Sequence, residues 1–208
     1  NGLVAHELRK VFSQELGWAP RELHEKGTVL QLAVGSSTGM TAAIVKDNVE
    51  FIDDDFTEET CIEIHTPWDK EGAVVLLIHN AGEILSWPEN VGAFAIILNA
   101  AGIDWTLASE GGEYDGVNYG LFYDDVQFAR IALKHVTAAK KLGVKKIVMG
   151  ECGHQHKALM TVGDRILAGE LRDVRRESFL PLLEQIVFSG KIEFDPSRND
   201  FPVTLHDP

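Results

Sequence analysis

Short apolar runs alternate with segments of helical period from Glu71 onward, and this alternation constrains the fold most. The strand candidates are 73–79, 103–109, 145–150, a short run near 191–194, and 202–206. The helix candidates are 88–101, 124–142, 156–168 and 178–189. Strands that alternate with helices are typical of a parallel sheet with helices on both faces. The sequence therefore predicts an α/β, Rossmann-like three-layer domain over 71–208.

The first seventy residues have a different pattern. Apolar residues at helical spacing predict an amphipathic helix over 3–16, and 29–34 is a strand candidate. The stretch 43–52 reads as a β-hairpin, because two apolar runs flank the polar turn Lys46-Asp47-Asn48. We therefore expect 1–70 to form a small appendage, a helix and a hairpin, packed on the main domain.

Composition excludes several classes of protein. The 208 residues carry a formal net charge of -13, which disfavours a nucleic-acid partner. Two cysteines in a chain of this length give no disulfide framework, which fits a reducing compartment such as the cytoplasm. No apolar run reaches the length of about eighteen residues that a membrane span requires. The sequence thus predicts a globular chain that functions in a reducing environment.

Reactive side chains follow the strand candidates at the point where each ends. They are His79, Glu110, Cys152, His154 and His206. The carboxyl ends of parallel strands meet at one edge of a sheet, and ligands bind there. We therefore expect these side chains to share one crevice, where His, Cys and carboxylate groups can hold a metal or a cluster.

The segment from Gly150 to Lys157 has the densest set of polar groups. Cys152 stands between a buried strand and a helix, where the helix dipole favours the thiolate over the thiol. His154 and His156 follow, but Cys-x-His-x-His is not a standard zinc spacing. The alternative interpretation is a glycine-rich turn with a buried, inert thiol and solvent-facing histidines.

Several separate motifs carry a resemblance to a known family. The segment 203–208, ending His206-Asp207-Pro208, resembles the His-Asp-Pro-Cys segment of the cysteine-rich, Cys-Cys-Gly domain family. That family includes the heterodisulfide reductase catalytic subunit and the iron–sulfur subunit of glycolate oxidase. The motifs at 79–83, 87–90, 118–120 and 150–154 narrow the resemblance to heterodisulfide-reductase-like proteins and the K-type subunits of sulfite-reductase-linked membrane complexes.

The sequence departs from the family pattern in an informative way. Asn118-Tyr119-Gly120 stands where the family has Cys-Cys-Gly. Cys152 takes the first place of the family's Cys-x-x-Cys, and Gln155 takes the second. By this resemblance, 71–208 is a degenerate first repeat that keeps one candidate ligand. The remaining cysteine motifs are expected before Asn1 and after Pro208, so we expect the chain to be a piece of a longer protein.

The resemblance implies an iron–sulfur electron-transfer subunit that reduces or forms a disulfide-type linkage on a thiol partner. It implies a 4Fe-4S cluster in the intact protein, with Cys152 as a ligand and Asn118, Tyr119 and Gly120 beside the cofactor. His154 and His206 would supply protons. The implied partners are a membrane cytochrome b-type subunit and a small cysteine-bearing sulfur carrier, met at the inner face of the membrane. For the isolated piece, no cluster and no activity are expected.

Two alternatives come from the residues themselves. One is a zinc-dependent hydrolase, which needs three protein ligands and one open position. Its candidate ligands are Cys152, His154, His79 or His206. The other alternative is a non-enzymatic, Rossmann-like binding module. It is the weaker alternative, because no Gly-x-Gly-x-x-Gly follows the first strand of the alternating region.

Overall fold

The computed structural model describes residues 42–79, 83, 87–109, 125–150, 152–195, 197, 201, 202 and 204. The helices are α1 (Ala42–Thr60), α2 (Pro88–Ala100), α3 (Asp125–Leu142), α4 (Gly153–Lys157), α5 (Gly163–Ile166), α6 (Ala168–Leu171) and α7 (Phe179–Phe188). A π-helical turn, Ala158–Val162, joins α4 to α5. The strands are β1 (Val75–Ile78), β2 (Trp105–Thr106), β3 (Lys146–Met149) and β4 (Arg175–Ser178).

Among the described residues, the four strands form one parallel sheet in the order β2-β1-β3-β4. Val75 pairs with Trp105 on one side of β1 and with Lys146 on the other. The side chains of β1 and β3 are all buried, as expected for parallel strands covered on both faces. The α/β, Rossmann-like fold with a parallel sheet is therefore confirmed.

Each face of the sheet has its own hydrophobic core. Val75, Leu77 and Val148 point to the face covered by α1, α2 and α7. Leu76 and Ile147 point to the opposite face, which is covered by α3, the π-helical turn and α6. Successive strand residues alternate between faces, so a short apolar strand buries side chains in both cores. The result is the predicted arrangement of helices on both faces.

Glycine ends three of the helices, as the sequence predicts. Gly102, Gly143 and Gly190 follow α2, α3 and α7 with φ of +63°, +66° and +67°. This left-handed conformation is costly for residues with a Cβ atom. Pro88 opens α2 within its first turn, where a missing backbone N–H costs nothing.

The predicted β-hairpin at 43–52 is wrong, because this stretch belongs to the nineteen-residue helix α1. Val49, Ile52 and Phe56 recur at helical spacing and pack in the core beneath α2. The apparent hairpin turn at 46–48 is polar because it lies on the outer face of the helix. The predicted helix at 3–16 and strand at 29–34 lie outside the described residues, and the domain boundary near 70 stays a prediction.

The sequence analysis also missed strand β4 and misplaced a helix start. β4 reads Arg175-Arg176-Glu177-Ser178, a polar edge strand with no apolar run. Glu177 forms an ion pair with Lys146 of the neighbouring strand β3. Arg176 Nη2 lies 2.5 Å from Asp164 Oδ1. The predicted helix at 156–168 begins earlier, at Gly153, and is interrupted by the π-helical turn.

The end of the chain agrees less well with the sequence analysis. Residues 191–194 do not form the predicted strand. Of the last strand candidate, Pro202 and Thr204 are not in a strand, while 203 and 205–208 lie outside the described part of the chain. None of the helices in that described part is long and apolar enough to cross a membrane.

Candidate functional site

The carboxyl ends of β1 and β3 form the topological switch point of the sheet. After β1 the chain enters α2 on one face, whereas after β3 it enters α4 and the π-helical turn on the other. The two connections leave in opposite directions, which opens a crevice between the two strand ends. Ile78 and Met149 are register partners, and the Gly150 N–H donates to the Ile78 carbonyl at 2.9 Å. The residues that follow these two strands are therefore neighbours.

At the end of β1, His79 is buried against a carboxylate and an aromatic ring. Its side chain is 1% exposed and that of Glu83 is 0% exposed. His79 Nδ1 lies 3.3 Å from Glu83 Oε1. The imidazole meets the ring of Phe94 edge to face, with centroids 5.1 Å apart. The two residues are four apart in the chain, and their side chains are in direct contact.

Glu83 links the end of β1 to the end of β3. Asn90 of α2 donates from Nδ2 to Glu83 Oε1 at 3.0 Å. The same carboxylate lies over Gly150, where a Cβ atom would stand 2.6 Å and 2.7 Å from the two carboxylate oxygens. Glycine suits position 150 because a side chain there would displace the Glu83 carboxylate. The buried histidine and carboxylate and the partly buried amide thus form one hydrogen-bonded cluster.

At the end of β3, Cys152 caps helix α4. Its backbone is extended (φ -66°, ψ 103°), and Sγ accepts from the Gln155 backbone N–H at 3.5 Å. The thiol is half-buried. This is the position of an N-cap residue, whose side chain satisfies one of the free N–H groups of the first turn. The cap fixes the sulfur at the start of α4, after the end of β3.

The three residues after Gly153 differ strongly in burial. His154 is exposed, Gln155 is 1% exposed and His156 is half-buried. Among the described residues, neither the amide oxygen nor the amide nitrogen of Gln155 has a hydrogen-bond partner, and the same is true of His156 Nδ1. Buried polar groups are nearly always paired, so three such atoms within two adjacent residues are unusual. They lie directly before a π-helical turn, a feature that is frequent at functional sites.

A cavity of about 360 Å³ opens between α2 and α7 at this edge of the sheet. Its walls are mainly apolar side chains from the two helices, and Gly150, Gly153 and His156 line the side next to Cys152. Phe94 and Phe179 contribute two rings whose centroids are 4.0 Å apart. The volume falls within the range of small-molecule sites in proteins.

The described residues do not form a complete metal site. Over the described ranges, no group of three or more His, Cys, Asp or Glu side chains is placed to hold a metal ion. Cys61, the other thiol, is exposed at the end of α1. A 4Fe-4S cluster usually takes about four thiolates, whereas this edge offers Cys152. A cluster or a catalytic zinc here would need ligands from outside the described residues.

The predicted site residues are placed as follows. His79, Cys152 and His154 all follow β1 or β3 and lie at the carboxyl edge. Glu110, Asn118, Tyr119, Gly120 and His206 lie outside the described residues. Whether His206 joins the crevice, and the roles assigned to each residue, therefore stay predictions.

The sequence analysis gave no role to two residues that the structure brings to the site, Glu83 and Asn90. The His-x-x-x-Glu spacing of His79 and Glu83 is the signal that identifies the first. Asn90 has no comparable signal, because it reaches Glu83 only through the packing of α2. Gln155 was noted as the replacement for a cysteine, but its burial was not anticipated.

Comparison with known proteins finds relatives at low identity. The chain is similar to the Hdr-like menaquinol oxidoreductase iron-sulfur subunit of Archaeoglobus profundus, with 25% identity over 84% of this chain and 38% of the relative. It is also similar to the Hdr-like menaquinol oxidoreductase iron-sulfur subunit 2 of Archaeoglobus fulgidus, with 27% identity over 74% of this chain and 34% of the relative. No protein-family profile and no solved structure matches.

These relatives confirm the resemblance to heterodisulfide-reductase-like iron–sulfur proteins. They do not show a specific similarity to K-type subunits. The chain spans little more than a third of the length of the two relatives.

Proposed function

We propose that this chain is part of an iron–sulfur electron-transfer subunit of the heterodisulfide-reductase-like kind. In the intact subunit it would help to reduce or form a disulfide-type linkage on a thiol partner. The observation that carries the proposal is the position of Cys152, the capping residue of α4 at the switch point of the sheet. The thiol at that position is half-buried and accepts from a backbone N–H, and it is not part of either hydrophobic core.

The relatives support the class of chemistry, since both are iron–sulfur subunits of oxidoreductases by name. A menaquinol oxidoreductase exchanges electrons with a membrane pool, and we extend that setting to this chain. The partners in our proposal are a membrane cytochrome b-type subunit and a small cysteine-bearing sulfur carrier. The site of action is the cytoplasmic face of the membrane.

The proton chemistry of the proposal falls to histidines. Reduction of a disulfide to two thiols consumes two electrons and two protons. His154 is exposed and lies two residues from Cys152 in the chain, and histidine is the side chain that most often transfers protons in enzymes. His206 is the second proposed donor, and Asn118, Tyr119 and Gly120 are proposed to lie beside the cofactor.

Cys152 would be one ligand of a 4Fe-4S cluster whose other ligands come from elsewhere in the subunit. Cys152 is the one thiol that the described residues bring to this edge of the sheet, so they do not define the cluster's geometry. The apolar cavity and the cluster of His79, Glu83 and Asn90 lie at the same edge as Cys152. The proposed role of Cys152 follows from this position.

The test compares the two cysteines of the chain under the same substitution. In the full-length subunit, purified without oxygen, Cys152→Ser should lower iron and sulfide content and slow disulfide reduction by about tenfold or more. Serine is a poor ligand for iron but differs little from cysteine in volume, so the melting midpoint should change little. Cys61→Ser, at an exposed position, is the matched control and should change neither quantity.

The electron paramagnetic resonance spectrum of the reduced subunit gives a second readout. It should change in the Cys152 variant and stay the same in the Cys61 variant. If Cys152→Ser retained the iron content, the spectrum and the rate of the unsubstituted subunit, Cys152 would be an inert capping thiol and the proposal would be wrong.

A further inference from the structure

The cavity between α2 and α7 has the construction of a small-molecule site. Its walls come from three separate parts of the chain: α2, the segment after β3, and the junction of β4 with α7. Each part contributes one polar side chain to an otherwise apolar lining, namely Asn90, His156 and Ser178. A mainly apolar pocket with a few convergent polar groups is the usual form of a ligand site.

The aromatic wall of the cavity is held in place before any ligand arrives. Phe94 and Phe179 are both 5% exposed, and their rings lie at 46° to each other with centroids 4.0 Å apart. Phe94 is held from behind by the buried ring of His79, which Glu83 fixes in turn. A wall that does not rearrange lowers the entropic cost of binding, and its flat surfaces favour a flat apolar molecule.

The polar side chains of the cavity determine which hydrogen-bonding groups a ligand needs. Asn90 and His156 both line the cavity, and Asn90 also donates from Nδ2 to Glu83. An amide and an imidazole each have hydrogen-bonding atoms that can bind a polar group of a ligand. These groups suit a hydroxyl or a similar neutral group that both donates and accepts a hydrogen bond.

Charge excludes an ionic ligand. The chain has a formal net charge of -13, and the Glu83 carboxylate lies directly behind Gly150, a lining residue. An anion would meet this field inside apolar walls, and burial of an unpaired charge in such surroundings is costly. A cation gains little, because Glu83 is already bonded to His79 and Asn90.

We infer that this cavity binds a small neutral molecule with a flat apolar body and one hydrogen-bonding group, held by Phe94, Phe179 and His156. The inference does not rest on the proposed electron-transfer function, since it concerns the cavity alone. It assigns the carboxyl edge of this sheet a ligand-binding role that needs no metal.

The test uses 2-naphthol as a neutral probe and 2-naphthoate as an anion with the same ring system. Titration of the 208-residue chain by isothermal calorimetry at neutral pH should give saturable one-to-one binding of 2-naphthol. The binding of 2-naphthoate should be weaker by about tenfold or more. Absence of saturable 2-naphthol binding, or equal binding of the two probes, would overturn the inference.

Two pairs of variants locate the bound probe. Ala93→Phe fills the cavity from α2 and should weaken 2-naphthol binding by about tenfold or more. Ala100→Phe places the same side chain at an exposed position of the same helix and should leave binding unchanged. Binding that survives Ala93→Phe in a folded protein would show that the probe sits elsewhere.

His156→Leu tests the hydrogen bond and stays informative if the filled cavity prevents folding. Loss of one hydrogen bond corresponds to weaker binding by about two- to tenfold. His65→Leu, at an exposed histidine outside the cavity, is the matched control. Equal binding by the two histidine variants would remove His156 from the site and with it the polar half of the inference.

Discussion

The ends of β1 and β3 lie side by side, yet their polar side chains are arranged in opposite ways. At the end of β1, the carboxylate of Glu83 contacts both the buried ring of His79 and the partly buried amide of Asn90. At the end of β3, the amide of Gln155 and one nitrogen of His156 are buried and have no hydrogen-bond partner among the described residues. Within the described part of the chain, the polar groups of the first cluster are therefore paired and those of the second are not.

The difference separates stability from function at one sheet edge. At the end of β1, the hydrogen bonds offset the free-energy cost of desolvating the polar groups that form them. That cluster therefore stabilises the base of the crevice. Each unpaired group at β3 costs free energy that the fold must supply elsewhere. Costs of this kind are concentrated at functional sites, which supports the chemistry that we propose for the end of β3.

The largest expected effect comes from breaking the cluster at β1. Glu83→Ala leaves the buried His79 and the partly buried Asn90 without their shared partner and opens a cavity beside Gly150. The free energy of unfolding should fall by about 4 kcal/mol, measured by denaturant titration. Glu59→Ala, at an exposed carboxylate of α1, should change it by less than about 0.5 kcal/mol. Similar losses in both variants would show that the cluster is not structural.

A second buried imidazole, His135 of α3, extends this comparison to the pH dependence of stability. Burial, and to a lesser degree the charge of Lys134, lowers the pKa of His135 from 6.5 to about 4. Above pH 6.5 the ring is neutral in both the folded and unfolded states, and its contribution is constant. As the pH falls from 6.5 to 4, the unfolded chain binds the proton first, so about 3 kcal/mol of stability should be lost.

Substitution of His135 isolates that contribution. Denaturant titrations of the unsubstituted chain and of His135→Leu, repeated between pH 7 and pH 4, should diverge in slope. The variant should lose less stability than the unsubstituted chain over this range. Parallel pH profiles would contradict the assignment of a buried neutral ring.

The next effect tests the contact between the two strand ends. Gly150→Ala places a Cβ atom 2.6 Å from a carboxylate that His79 and Asn90 hold in place. The clash should reduce the free energy of unfolding by about 2 kcal/mol. Gly153→Ala has no atom within 4 Å of the new methyl group and should stabilise helix α4 slightly. The two variants, three residues apart, should therefore differ in sign.

The smallest expected effect is a gain. Gln155→Met replaces an unpaired buried amide with an apolar side chain of similar length. Stability should rise by about 1 kcal/mol, seen as a higher melting midpoint. Gln185→Met, at an exposed glutamine of α7, is the matched control and should change little. A loss of stability in Gln155→Met would mean that the amide is paired in solution.

The sequence predicted the parts of the fold that have a strong local signal. Strands β1 and β3 are continuous apolar runs because they are buried on both faces, and α2 and α3 have clear starts and glycine ends. β4 was missed because Arg175-Arg176-Glu177-Ser178 carries no hydrophobic pattern, and its place in the sheet depends on pairing with β3. The segment 43–52 was misread because its apolar groups happen to bracket three polar residues, as a hairpin would.

The site was predicted in position but not in detail. Strand ends in an alternating pattern were enough to bring His79 and Cys152 to one edge. The bonds from Glu83 to His79 and Asn90 depend on how α2 packs, and no local pattern encodes that. The cavity likewise depends on the separation of α2 and α7, which are distant in the chain and meet only in the folded core.

The strand order has a consequence for how the protein forms. β1 is flanked by β2 and β3, and both come later in the chain. Val75 pairs with Lys146 of β3, which lies about seventy residues downstream. The chain must therefore close a long loop before this pairing contributes to the stability of the sheet. During synthesis, the Val75-Leu76-Leu77-Ile78 segment therefore emerges before β3, with an apolar surface and unpaired backbone groups. Chaperones and aggregation partners recognise these features. The crevice at the strand ends cannot exist until β3 has left the ribosome.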